Sequence, residues 1–111
     1  MSKTNLLRTT PPIEVEATLQ RLGVNLKTAR LRRNLTVAQA AQKIGTGPRA
    51  VADAEKGKPT TAIATYLALL WAYGLLQQAD SLAAPSTDDV GKALSERRER
   101  ARSRRRLDND F

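Results

Sequence analysis

The chain has 111 residues and a formal net charge of +8, set by 19 Lys and Arg against 11 Asp and Glu. That length supports one domain around one modest core, and a small basic protein points to a polyanionic partner, nucleic acid first. With no cysteine and no histidine, disulfides, thiol chemistry, a His general base and metal sites built on those ligands are excluded.

Residues 1–12 are polar, end in Pro11–Pro12 and read as a flexible arm carrying Lys3 and Arg8. The opening MSKTNLLRTTPPIEVE lacks the apolar stretch of a secretion signal. No apolar run approaches the roughly 18 residues of a membrane span. A cytoplasmic chain without membrane contact is the expectation, in keeping with the absence of cysteine.

From Ile13 to about Arg33, Val15, Leu19, Leu22, Leu26 and Ala29 recur at spacings of 4, 3, 4 and 3, one stripe of a helix. Gly23 interrupts it at a cost of about 1 kcal/mol relative to alanine, which marks close packing or a break. Thr36 with Gln39 three residues on forms a capping box for a second helix, Val37 to Ile44. Gly45 is placed to end it in the left-handed conformation. Pro48 suits the first turn of a third helix, which stops at Gly57, and Pro59 blocks any continuation.

Thr60 or Thr61 opens a fourth helix, AIATYLALLWAY, closed by Gly74. Its inner stripe reads as Ile63, Tyr66, Leu67 and Leu70, while Leu69, Trp71 and Tyr73 cover other sides. A helix apolar on most of its circumference is buried on more than one side, and a second subunit would supply the extra surface. A fifth helix, LLQQADSLA, follows and Pro85 ends it. Ser86 or Thr87 then caps a last segment in which Asp88 and Asp89 suit a helix N-terminus and Val90 and Leu94 could dock it. Beyond Ser95, seven of the remaining sixteen residues are arginine. Such a tail cannot pack a core and is expected to be disordered or a frayed helix. No internal repeat is present.

The corner KIGTGPRAVADAEKGKP explains the punctuation at its centre. Helix, glycine turn and helix, with small Ala41, Val51 and Ala54 inside the angle, form a helix-turn-helix pattern. The outer face of the third helix is left free to enter a DNA major groove about 12 Å wide. The fold class is all-α, with residues 13–84 as the helix-turn-helix domain and 85–111 as a short helix and arginine-rich tail.

Residues 22–76, LGVNLKTARLRRNLTVAQAAQKIGTGPRAVADAEKGKPTTAIATYLALLWAYGLL, resemble the helix-turn-helix domain of the Cro/repressor (XRE) class. More narrowly, ARLRRNLTVAQAAQKIG, AEKGKP and TYLALLWAYGLLQQADSLA followed by DDVGKAL resemble small HipB-like antitoxins, encoded beside HipA-type serine/threonine kinase toxins. The resemblance implies a compact five-helix, lambda-repressor-like domain with a flexible basic C-terminal extension. It also implies a nucleoid-associated bacterial homodimer that binds an operator with an inverted repeat, represses its own operon and joins a HipA-like kinase toxin. Arg30 and Glu55 match an arginine and a glutamate that pair in many members of the class. The chain departs from the family at Gly47, where Ser is frequent, and at Pro48 and Arg49, where polar base readers are frequent.

Arg49 can grip O6 and N7 of guanine with two hydrogen bonds. Pro48 and Asp53 share that base-facing role, although an acid there either accepts from cytosine or repels phosphate. Thr36, Lys43, Thr46, Lys56 and Lys58 sit at the ends of the corner helices, where a DNA backbone should pass. Arg30 has a rival reading as a direct DNA contact. Leu69, Trp71, Tyr73 and Leu76 are the expected dimer interface. No catalytic residue, metal ligand or small-molecule cofactor is expected. Two rivals to DNA readout remain: a protein-interaction module that assists toxin neutralisation, and an RNA-binding protein using Trp71, Tyr66 and Tyr73 for stacking. An enzyme fits least, because the carboxylates are scattered and no phosphate-binding glycine loop is present.

Overall fold

The structure is a computed structural model that describes residues 5–109. Lys3 of the expected arm lies outside them. The regular structure of the described residues is all helical, without a strand: α1 (Leu6–Thr9), α2 (Ile13–Arg32), α3 (Val37–Ile44), α4 (Pro48–Glu55), α5 (Ile63–Ala72) and α6 (Asp89–Asn109). Short 3₁₀ turns occupy Leu76–Ala79 and Pro85–Thr87. The chain divides into two units between Ala79 and Asp80. None of the described helices is long and apolar enough to cross a membrane.

In the first unit, Asn5 starts α1 by accepting the Leu7 N–H at 3.1 Å, so the expected arm contains one helical turn. Pro12 then opens α2, and Glu14 and Glu16 in its first turn suit the positive end of the helix dipole. The core takes up the apolar stripe of α2 only from Leu19. Val15, expected inside, is 42% exposed. The reason is length: α2 has 20 residues, about 30 Å, whereas α3 and α4 have 8 each, about 12 Å. Gly23 is a point of close packing. A Cβ there would lie 2.5 Å from the carbonyl oxygen of Glu55 and 2.8 Å from that of Ala54. Gly57 does the reverse from the end of α4: it holds φ +67° and its Cβ would meet the Leu19 oxygen at 2.5 Å. The backbones of α2 and of the α4 terminus therefore touch.

The core consists of Leu26, Ala29, Ala40, Ala41, Val51, Ala54, Tyr66, Leu69 and Tyr73. Four of these are alanine, which lets two eight-residue helices approach closely enough to share so little apolar surface. The inward stripe of α5 is Tyr66 and Leu69, with Leu70 packed beside them and Tyr73 following. Ile63, expected on that stripe, is 70% exposed. The helix begins at Ile63 after Ala62, without a side-chain cap from Thr60 or Thr61.

The expected fifth helix is absent; LLQQADSLA forms a single 3₁₀ turn. Leu76, Gln77 and Gln78 are exposed, and a short helix with no buried face does not repay its nucleation cost. In the second unit, Asp88 rather than Ser86 or Thr87 is the cap of α6, accepting the Gly91 N–H at 3.0 Å. The helix runs on through the arginine segment, for which composition predicts disorder or fraying. Its Arg, Glu, Ala and Leu are all strong helix formers, and that local preference does not require burial. None of its residues is buried, and Val90 and Leu94 are exposed rather than docked.

Candidate nucleic-acid interface

The corner is built by hydrogen bonds that leave almost no slack. The Thr36 hydroxyl accepts the Gln39 N–H at 3.1 Å, and the Gln39 side-chain oxygen accepts the Thr36 N–H at 2.9 Å. At the other end of α3, Gly45 stops the helix at φ +76°. The Thr46 N–H reaches back to the Ala41 carbonyl at 3.0 Å, which fixes the exit direction. Gly47 precedes α4 with no side-chain cap, and Pro48 takes the first helical position.

Val51 and Ala54 are fully buried beneath α4. Helical spacing then places Arg49, Ala52, Asp53 and Lys56 on its outer face. Arg49, Pro48 and Lys56 are exposed, and Ala52 and Asp53 partly so. Lys43 and Thr46, both exposed, stand before the N-terminus of α4, and Lys56 and Lys58 stand at its C-terminus. At about 12 Å, α4 is a short cationic-ended helix on a scale with the major groove.

Asp53, expected to face bases, is partly exposed and has a neighbour of opposite charge: its Oδ1 lies 3.1 Å from the Lys58 Nζ. The backbone of Lys58 is held as well: its N–H donates to the Asp53 carbonyl at 3.1 Å, and its own carbonyl accepts the Tyr66 hydroxyl at 3.1 Å. No helical spacing announces this pair, because the two residues lie five apart across the end of α4.

Arg30 is buried at 7% exposure. Its Nε and Nη2 donate to the two carboxylate oxygens of Glu55 at 2.6 and 3.0 Å, and Nη1 donates to the Leu35 carbonyl at 2.8 Å. The Glu55 hydrogen bonds hold the guanidinium pKa above its ordinary value, against the opposing effect of burial. Buried, and with three of its five N–H groups engaged inside the fold, Arg30 presents almost no surface to DNA, which argues against the reading of it as a direct contact. The pair instead ties α2, the α2–α3 turn and the last residue of α4 together. Such a pair orients more than it stabilises. Next to it, the Arg33 guanidinium lies 5.7 Å from the centre of the Tyr73 ring. Burial raises the pKa of Tyr73, and Glu55 adds to the shift.

The four residues expected at a dimer interface separate. Leu69 (0% exposed) and Tyr73 belong to the core of their own chain, and a side chain without surface cannot touch a second subunit. Trp71 is 60% exposed and Leu76 is at the surface. The sequence reading missed Ile63, which with half-buried Leu67 and Trp71 forms an apolar ridge at spacings of four along α5. Tyr66 and Tyr73 are buried and so cannot stack on RNA bases.

No curated protein and no solved structure matches the chain. Residues 21–82, more than half of it, match a family model described as a helix-turn-helix domain, a kind of domain that carries no catalytic activity. That stretch holds most of α2, the whole α3–α4 corner and α5, including the Arg30–Glu55 pair and the outer face of α4. The chain belongs to the helix-turn-helix family, of the XRE/Cro-like kind.

Proposed function

We propose that this protein is a sequence-specific DNA-binding transcriptional repressor that lays α4 in the major groove of an operator. The observation that carries the reading is an exposed Arg49 on a short helix whose opposite face packs in the core and whose last residue, Glu55, is tied to α2 by Arg30. In this reading Arg49 reads a base edge. Thr36, Lys43, Thr46, Lys56 and Lys58 hold phosphates, and Asp53 serves to position Lys58. Residues 13–84 form the reading domain. One short helix reads few base pairs, so two copies bind an inverted repeat with half-sites about 34 Å apart. The ridge of Ile63, Leu67 and Trp71 is the surface on which they pair.

The experiment is operator selection from random DNA followed by Arg49→Ala. The substitution is expected to cost about 1–3 kcal/mol at the selected site and to relax sequence preference, whereas Lys56→Ala weakens all duplexes about equally. Unchanged discrimination by Arg49→Ala removes Arg49 from base reading.

The resemblance to HipB-like antitoxins supports a finer role as the antitoxin of a type II toxin–antitoxin system, repressing its own operon and binding a HipA-like kinase. Co-purification with a kinase encoded by the adjacent reading frame tests it. A second reading, an interaction module that assists neutralisation without DNA readout, draws on the outer face of α4. With Asp53 engaged by Lys58 and Lys56 assigned to phosphate, Arg49 alone on that face is left to read bases. Failure to select any operator would favour that reading.

A further inference from the structure

We propose that α6 is a second DNA-binding element that lies in the major groove, with its two glutamates facing away from the duplex. This rests on the reading of the chain as a DNA-binding protein but uses none of the residues of α3 or α4. Between Arg97 and Arg106 the helix carries seven arginines and one glutamate. All of them are exposed, and among the described residues none of the seven makes an ion pair. Arginines at Arg98 and Arg102, and at Arg100 and Arg104, are like charges four apart, which oppose the helix that holds them. A polyanion alongside relieves that repulsion and supplies the interactions that burial does not.

The distribution of the arginines around the helix says which polyanion fits. At 3.6 residues per turn, they occupy an arc of about 240°. Arg97, Arg100 and Arg104 take one side of it, and Arg98, Arg102 and Arg105 the other. The remaining arc, about 120°, holds Glu96, Glu99 and Ser103. An acidic protein face touches one side of a helix, so arginines on the far side would be idle. The major groove of B-DNA, about 12 Å wide and 8.5 Å deep, encloses a helix of about 10–12 Å diameter between two walls of phosphate. Each flank of the arginine arc then meets one wall, and the glutamate stripe points out of the groove. The groove of an A-form RNA duplex is too deep and narrow to admit it.

The test uses the full chain and a random-sequence DNA duplex two helical turns long, with an RNA duplex of the same length beside it. Two triple variants divide the flanks: Arg97→Gln with Arg100→Gln and Arg104→Gln, and Arg98→Gln with Arg102→Gln and Arg105→Gln. None of these residues is buried, so the fold of the first unit is untouched, and circular dichroism checks the helix itself. Each variant is expected to weaken DNA binding by about tenfold or more. The slope of log affinity against log salt should become shallower by about one for each phosphate that is no longer neutralised. RNA binding should fall by less, and Glu96→Gln with Glu99→Gln should leave DNA binding unchanged. Weakening in only one triple variant, or equal weakening on RNA, overturns the groove placement. No weakening in either, with wild-type protein still binding DNA, overturns the role of α6 and leaves the repressor reading standing. Random-duplex binding that depends on α6, without discrimination among sequences, does the opposite.

Discussion

At the scale of single residues, the ion pair of Arg30 and Glu55 sets the terms for the rest of the interface. Their side chains are 8% and 7% exposed, so removal of one leaves a buried charge without a partner. Glu55→Ala is expected to destabilise the fold by about 3–5 kcal/mol, a large share of the total for so small a domain. Replacing both residues with methionine should cost much less than the two single changes added together, since no lone charge then remains. Urea unfolding of the four proteins in the cycle measures the difference. The double variant should nevertheless bind its operator more weakly, because the end of α4 has lost its tie to α2. Equal operator affinity would reduce the pair to an element of stability alone.

At the scale of elements, glycines of the same chain have opposite uses. Gly23 stands mid-helix, where alanine would be favoured by about 1 kcal/mol. Its Cβ would press within 2.5 Å of a backbone oxygen at the end of α4, and backbone cannot swing aside as a side chain can. Gly23→Ala should therefore be net destabilising by about 1–3 kcal/mol, the usual range for overpacking. Gly47, ahead of α4, has φ −80° and open space around it. Gly47→Ser should instead add a side-chain cap and stabilise by a few tenths of a kcal/mol. Thermal melts of the two variants check the contrast, and a stabilised Gly23→Ala would show that α2 and α4 can move apart freely.

At the scale of the whole molecule, the apolar surface left over by folding becomes informative. Ile63, Leu67 and Trp71 line α5 without cover from the core, and the proposed dimer uses them. Light scattering should give about twice the chain mass for the wild type, and Trp71→Glu should return it to a folded monomer. Leu69→Glu separates the two roles of α5. With no exposed surface, Leu69 offers nothing to a second copy, so a charge there should unfold the protein rather than dissociate it. A dimer that survives Trp71→Glu places the interface elsewhere.

The sequence by itself determined the elements with sharp local chemistry. Thr36 with Gln39, Gly45 and Pro48 mark the limits of α3 and α4, because caps and left-handed turns depend on a few adjacent residues. Val51 and Ala54 at the inner spacing, with Arg49 opposite, were legible for the same reason. Tertiary structure decided what periodicity could not. Helix α5 is apolar on nearly every side, so no spacing could say that Leu69 faces inward and Ile63 outward; only the position of α3 and α4 does. Val15 continues a regular stripe, yet the short helices packed on α2 do not reach far enough to cover it. The segment after Gly74 has helical composition but, beyond Leu75, little surface to bury, and it stops after one 3₁₀ turn. Asp53 and Lys58 meet because Gly57 turns the chain back at the end of α4, a meeting that depends on the path of the backbone and on no repeat in the sequence. The arginine segment is the reverse case. Its composition argues for disorder, whereas its residues are individually good helix formers behind an Asp88 cap, and local propensity is sufficient to extend α6 to Asn109.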